Sequence, residues 1–171
     1  MEDDPLADLT VLAARLGERC TQHHLTVATV ESCTGGLVGH LITEVPGSSA
    51  YYVGGFVTYS DIQKRASVGV GEDVLAAHGA VSAQVAMAMA TGGRERTGAH
   101  LAVSVTGIAG PDGGTPQKPV GLTYIAVADA DGATVQRFTW PGDRSENKRR
   151  SAAAALELLL ERIDATTAPP R

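Results

Sequence analysis

Cysteine is scarce, paired histidine motifs are missing, and there is no surplus of positive charge. Each shortage removes a class of function. Cys20 and Cys33 are the only cysteines, and they form neither a CxxC nor a Cys/His cluster, so a zinc site or a disulfide framework is not expected. His23, His24, His40, His78 and His100 make no HExxH or HxH pattern, and they read as surface or rim residues, with no metal expected. The formal net charge of −5 offers no basic face for nucleic acid, although it leaves room for one local cationic pocket. No apolar run approaches the roughly 20 residues of a membrane span. The opening "MEDDPLADLT" is acidic, unlike a secretory signal. A soluble cytoplasmic protein is therefore expected. A P-loop is excluded as well, because GxxxxGK[ST] does not occur.

What is present suits one globular domain. The chain has 171 residues with 43% hydrophobic and 19% charged content, enough for a sizeable core and against disorder. Leu6, Leu9, Leu12, Leu16 and Cys20 recur at helical spacing, which predicts a first helix from about Pro5 to Gln22. "LTVATV" reads as the first strand and "TGGLVGHLIT" as the helix after it. "VGGFVTY" reads as the second strand, followed by short helices at "SDIQKRAS" and "GEDVLAAHG". Ser82 is expected to cap a helix through "AQVAMAMATGGRERT", where Met87 and Met89 are packing residues. "LAVSVT" is a third strand, "GIAGPDGGTPQKPV" a long surface loop, and "GLTYIAVA" and "TVQRFTW" a hairpin. A last amphipathic helix, "SENKRRSAAAALELLLERI", precedes a tail at 164–171 that is expected to fray.

Helical connections make the first three strands parallel, while the fourth reverses and the fifth reverses again. The expected fold class is α/β: three α/β/α layers around a mixed, mostly parallel sheet of about five strands. The single domain covers 1–171, with its core at about 6–163. In such sheets, ligands bind beyond the carboxyl ends of parallel strands. Those ends carry Glu31 to Thr34, Tyr59 to Asp61, Thr106-Gly107 and the stretch from Trp140 to Arg144.

Within "ESCTGG", Ser32 lies at a strand-to-helix turn whose following amides suit an oxyanion or a phosphate. Gly35 and Gly36 permit close approach of a ligand, and Glu31 reads as a hydrogen-bonding partner for a loop. Ser32 or Thr34 acting as a plain helix cap competes evenly with this. A serine nucleophile needs a base, and Lys64 is the candidate if burial lowers its pKa. Ser60 and Lys64, spaced i, i+4, make a rival dyad. Cys33 is a weaker nucleophile for want of an imidazole. Ser48 and Ser49 are either turn residues or a hydroxyl relay. Arg144 is either an anion clamp or a helix-start ion pair.

The ordered motifs "ESCTGG", "PGSSAYYVGGFVTYSDIQK", "GAVS", "VTGIAGPDGGTPQKPVG" and "GDR" resemble the C-terminal domain of the CinA (competence/damage-inducible) family from about Leu6 to Ile163. The resemblance implies an α/β/α fold. It also implies an amidohydrolase without a cofactor, which turns nicotinamide mononucleotide into nicotinate mononucleotide and ammonia in pyridine nucleotide recycling. By position it implies that Ser32, Lys64 and Ser49 are catalytic, with either serine supplying the attacking hydroxyl. It implies substrate-binding roles for Tyr59, Thr106 and Arg144. Thr34, Gly35 and Gly107, from their place at the strand ends and the turn, are expected to bind substrate beside them. The partner is then a small nucleotide, and self-association is compatible with a domain of this size. Where the family has asparagine, this chain has Asp61, whose carboxylate favours the ammonium form of Lys64. The competing reading is a non-catalytic nucleotide-binding or interaction module linked to competence or DNA damage.

Overall fold

A computed structural model describes residues 7–168, so the expected helix start at Pro5 and Leu6 lies outside the described residues. In chain order the elements are α1 (Ala7–His23), β1 (Val27–Glu31), α2 (Leu37–Thr43), a 3-10 turn (Ser48–Ala50), β2 (Tyr52–Val57), α3 (Asp61–Val68), α4 (Glu72–His78), α5 (Ala83–Thr97), β3 (Leu101–Gly107), β4 (Leu122–Asp129), β5 (Gly132–Thr139) and α6 (Arg144–Thr167). The strands form one sheet in the order β2-β1-β3-β4-β5. β1 runs parallel to both β2 and β3, whereas β4 is antiparallel to both of its neighbours. This is the mixed, mostly parallel α/β/α arrangement expected from the connections.

Burial follows position in the sheet. Every residue of β1, "VATVE", is buried, as a middle strand covered on both faces requires. The edge strand β5 has no fully buried position. On one face, Leu16 and Cys20 of α1, Leu41 of α2, and Leu156 and Leu159 of α6 pack with Val27, Val103 and Ile125. On the other, Val85 and Met89 of α5 pack with Val30 and with Val68 at the end of α3. Cys20 and Met89 are thus packing residues. Ser82 caps α5 by accepting from the Val85 amide.

One terminal expectation needs correction. Residues 164–167 do not fray: α6 continues to Thr167. Arg19 donates from Nε to Asp164 Oδ1 at 2.9 Å, and the Thr167 hydroxyl bonds the Ile163 carbonyl at 2.7 Å. The hydrophobic periodicity ends before the helix does, because the last turn is held by polar contacts. Residues 169–171 of the expected tail lie outside the described residues.

The layer carrying α3 is drawn in by two glycines. A Cβ on Gly92 would lie 1.8 Å from the Val68 carbonyl oxygen, and one on Gly93 would lie 2.2 Å from Val30 Cγ2. These glycines let α5 lie close to α3 and β1, which fixes where the side chains of α3 point. Gly92→Ala gains about 1 kcal/mol of helix propensity but pushes backbone against backbone, and overpacking costs about 1–3 kcal/mol. The net expectation is a lower denaturation midpoint in urea. An unchanged or higher midpoint would contradict this packing account.

Candidate active site

The chain leaves β1 toward β2 and returns on the other side of β1 as β3, which opens a crevice at the carboxyl ends of these two strands. Ser32 follows β1 directly, and its amide donates to the Val105 carbonyl at 2.9 Å, tying the turn to β3. A cavity of about 270 Å³ opens there, lined among others by Ser32, Cys33, Tyr59, Lys64, Thr106, Gly107 and Arg144.

Lys64 occupies the floor. It projects from the first turn of α3, which Ser60 caps by accepting from the Gln63 amide. The side chain turns inward and is only 1% exposed. Its Nζ stands 3.0 Å from Ser32 Oγ, 2.8 Å from the Thr58 carbonyl and 3.4 Å from the Tyr59 carbonyl. Ser60 is therefore a cap, and the hydroxyl on Lys64 belongs to Ser32. Burial pushes the Lys64 ammonium below its ordinary 10.5, while the Asp61 carboxylate and Cys33 pull the other way. Desolvation is the largest influence, so the feared effect of Asp61 is present but outweighed. A neutral amine has two N–H groups and one lone pair. Two carbonyls and one hydroxyl match that set, and they aim the lone pair at Ser32.

Glu31 explains the turn. The carboxylate is 1% exposed and accepts from the Gly36 and Val38 amides through Oε2 and from the Gly39 amide through Oε1. It does the work of a cap, since Gly36 at the start of α2 makes no side-chain cap bond. Neither Ser32 nor Thr34 caps the helix. The Gly35 amide bonds the Ser32 carbonyl and the Leu37 amide bonds the Thr34 carbonyl. Of the amides that the sequence offered to an anion, those of Cys33 and Thr34 take no acceptor among the described residues. Burial pushes the Cys33 thiol up to about 12, which disfavours the thiolate.

The remaining expected residues divide into two groups. Thr106 lines the cavity with its hydroxyl donating to the Ala80 carbonyl at 2.8 Å, and Gly107 has no room for a Cβ, which would lie 2.7 Å from the Leu122 carbonyl. Tyr59 is 62% exposed and its hydroxyl receives Arg144 Nη2 at 3.2 Å, while Nη1 donates to the Gly110 carbonyl at 2.8 Å. Arg144 thus makes no helix-start ion pair among the described residues; it reaches across to pin the long loop. Thr34 and Gly35 form the turn behind Ser32 and do not line the cavity. Thr34 is buried, and its hydroxyl has no partner among the described residues.

Ser49 is not brought to Ser32 and Lys64 at all. It sits in the 3-10 turn that enters β2, where the Tyr51 carbonyl meets the first residue of β1, and that is the opposite edge of the sheet. A relay between Ser32 and Lys64 through Ser49 has no support within this chain.

Three contributors were not singled out from the sequence. Asp112 lines the cavity from the loop. Asn147 holds that loop by donating to the Ala109 carbonyl at 3.0 Å. Lys148 brings its Nζ within 3.8 Å of where a Cβ on Gly35 would lie. For Lys148 the signal was the helical repeat in "GDRSENKRR", which puts residues 144 and 148 one turn apart on α6.

Comparison with known proteins bears on the family and the fold. The profile of the CinA C-terminal domain matches residues 9–163. The nicotinamide-nucleotide amidohydrolase PncC of Pseudomonas putida is 46% identical over 153 residues, covering 90% of this chain and 96% of that protein. A CinA-like protein of Citrifermentans bemidjiense is 50% identical over 145 residues, 85% of this chain but 35% of that protein. The chain therefore spans about a third of the length of such longer relatives. Among solved structures, the competence/damage inducible protein CihA of Agrobacterium tumefaciens superposes with a TM-score of 0.87 at 43% identity, covering 94% of this chain and 98% of that one. A CinA superfamily protein of Klebsiella pneumoniae does so with a TM-score of 0.88 at 30% identity. Fold, motifs and coverage agree, and the chain belongs to the CinA C-terminal domain family.

Proposed function

We propose that this protein is an amidohydrolase that cleaves the carboxamide of nicotinamide mononucleotide, with Ser32 as nucleophile and Lys64 as its base. The observation that carries the reading is the buried Lys64 Nζ held 3.0 Å from Ser32 Oγ. The similarity to a protein named as a nicotinamide-nucleotide amidohydrolase supports the substrate. Neutral Lys64 takes the Ser32 proton as Oγ attacks the carboxamide carbon. The oxyanion of the tetrahedral intermediate is received by the amide of Cys33, a residue that lines the cavity next to Ser32. Lys64, now an ammonium, protonates the departing nitrogen, so that ammonia leaves and an acyl ester remains on Ser32. Water then attacks the ester carbon, Lys64 again removes a proton, and Ser32 leaves with that proton restored. The product is the carboxylate. Ser32, rather than Ser49, is the attacking hydroxyl in this reading, because only Ser32 stands beside the base. Arg144, one side of the cavity wall, is the group that meets the phosphate, using the donors left over from Gly110 and Tyr59.

The base is tested by substitution and by pH. Lys64→Arg cannot accept a proton and is expected to lose roughly 100- to 10,000-fold in kcat; retention of most of kcat would remove Lys64 as the base. The rate kcat/KM is expected to rise with pH as Lys64 becomes neutral. Asp61 favours the ammonium, so Asp61→Asn should move that rising limb to lower pH. A limb that stays in place or moves up would contradict the assignment.

The phosphate contact has its own control. Arg144→Ala should raise KM for the nucleotide more than for the nucleoside that lacks a phosphate. Because Arg144 also pins the Gly110 loop, some loss common to both substrates is expected. If the losses are equal, the contribution of Arg144 is confined to pinning the loop.

A further inference from the structure

The loop between β3 and β4 is built, not merely long. Its amino end is fixed by Arg144 on the Gly110 carbonyl at 2.8 Å and by Asn147 on the Ala109 carbonyl at 3.0 Å. It closes on itself where the Gly121 amide meets the Ile108 carbonyl at 2.7 Å. The far end is tied down by Lys118 on the His78 carbonyl at 2.7 Å. Between these anchors Asp112 lines the same cavity as Ser32 and Lys64.

Asp112 has a distinct place among the side chains of that lining. The hydroxyls of Ser32, Tyr59 and Thr106 can donate as well as accept, and Lys64 and Arg144 are nitrogen groups. Among the described residues Asp112 is the one acidic side chain in the wall, and when ionised it only accepts. It makes no hydrogen bond or ion pair with another described residue. Lys64 feels the carboxylate of Asp61 rather than that of Asp112, so Asp112 stands apart from the proton-transfer chemistry. A carboxylate here fits a ligand that presents two adjacent O–H donors at one end, with its anion kept toward Arg144.

We propose that Asp112 is a specificity-determining residue that accepts the vicinal 2′- and 3′-hydroxyls of the substrate's ribose. The proposal deepens the amidohydrolase reading and rests on its nucleotide substrate. Carboxylates read ribose hydroxyls in other α/β sites at the ends of parallel strands. In this cavity the negative charge also orients the nucleotide: phosphate to Arg144, diol to Asp112, and carboxamide to Ser32.

The test uses Ser32→Ala protein, which holds the substrate uncleaved, with nicotinamide mononucleotide and its 2′-deoxy analogue in calorimetric titrations. A hydrogen bond to a charged acceptor is worth about 10- to 100-fold in affinity, so the deoxy analogue should bind more weakly by that factor. Adding Asp112→Ala should remove most of the difference, weakening the ribonucleotide and sparing the deoxy analogue. Discrimination that survives Asp112→Ala overturns the ribose assignment, as does equal weakening of both ligands, which would make Asp112 a loop-shaping residue. Ammonia release by the wild-type protein is measured alongside. Discrimination without ammonia release sinks the amidase reading alone, and absence of binding by either nucleotide overturns both.

Discussion

The architecture of the site turns on a lysine placed where an ammonium is costly. Removing a charge from water costs several kcal/mol unless partners compensate, and among the described residues Lys64 has two carbonyls and a hydroxyl but no carboxylate within ion-pair distance. That set suits the neutral amine. The sequence of elements serves it: Ser60 starts α3 at the right point, Val68 anchors the other end in the core, and the glycines of α5 admit α3 close to the sheet. A well-packed helix thus holds one amine in a poorly solvated position next to one hydroxyl.

Glu31 applies the same logic to the turn that carries Ser32. A buried carboxylate is tolerated because three backbone amides receive it. In doing so it uses up the start of α2, so the helix terminus is not a general anion site. Among the described residues, the amides that remain are those of Cys33 and Thr34, directly after Ser32. The same carboxylate orders the turn and narrows the place where a developing negative charge can be held.

Much of this was legible in the chain because β-rich runs separated by helical stretches fix strand direction, and direction decides which polar residues share an edge. Ser32, Tyr59, Lys64, Thr106 and Arg144 meet for that reason. Ser49 did not follow, and the cause is geometric: a residue that enters a parallel strand lies at the opposite edge from one that leaves it. Asp112 and Asn147 were hidden because the loop's glycines and prolines announce irregular backbone without saying where it folds back. The length of α6 was hidden because its last turn is held by Arg19–Asp164 and threonine hydroxyls, which leave no apolar period to read.

Family membership and local geometry support different parts of the account. Similarity along nearly the whole chain establishes the CinA C-terminal domain, while the proposed proton chemistry rests on Lys64. The most direct measurement is therefore the titration of that amine, followed by NMR of the ε-carbon in protein carrying labelled lysine, with Lys64→Arg identifying the signal. The account predicts a midpoint clearly below the ordinary 10.5, moving lower still in Asp61→Asn. A midpoint at or above 10.5 would contradict it, because Lys64 would then be a fixed cation and could not take the proton from Ser32.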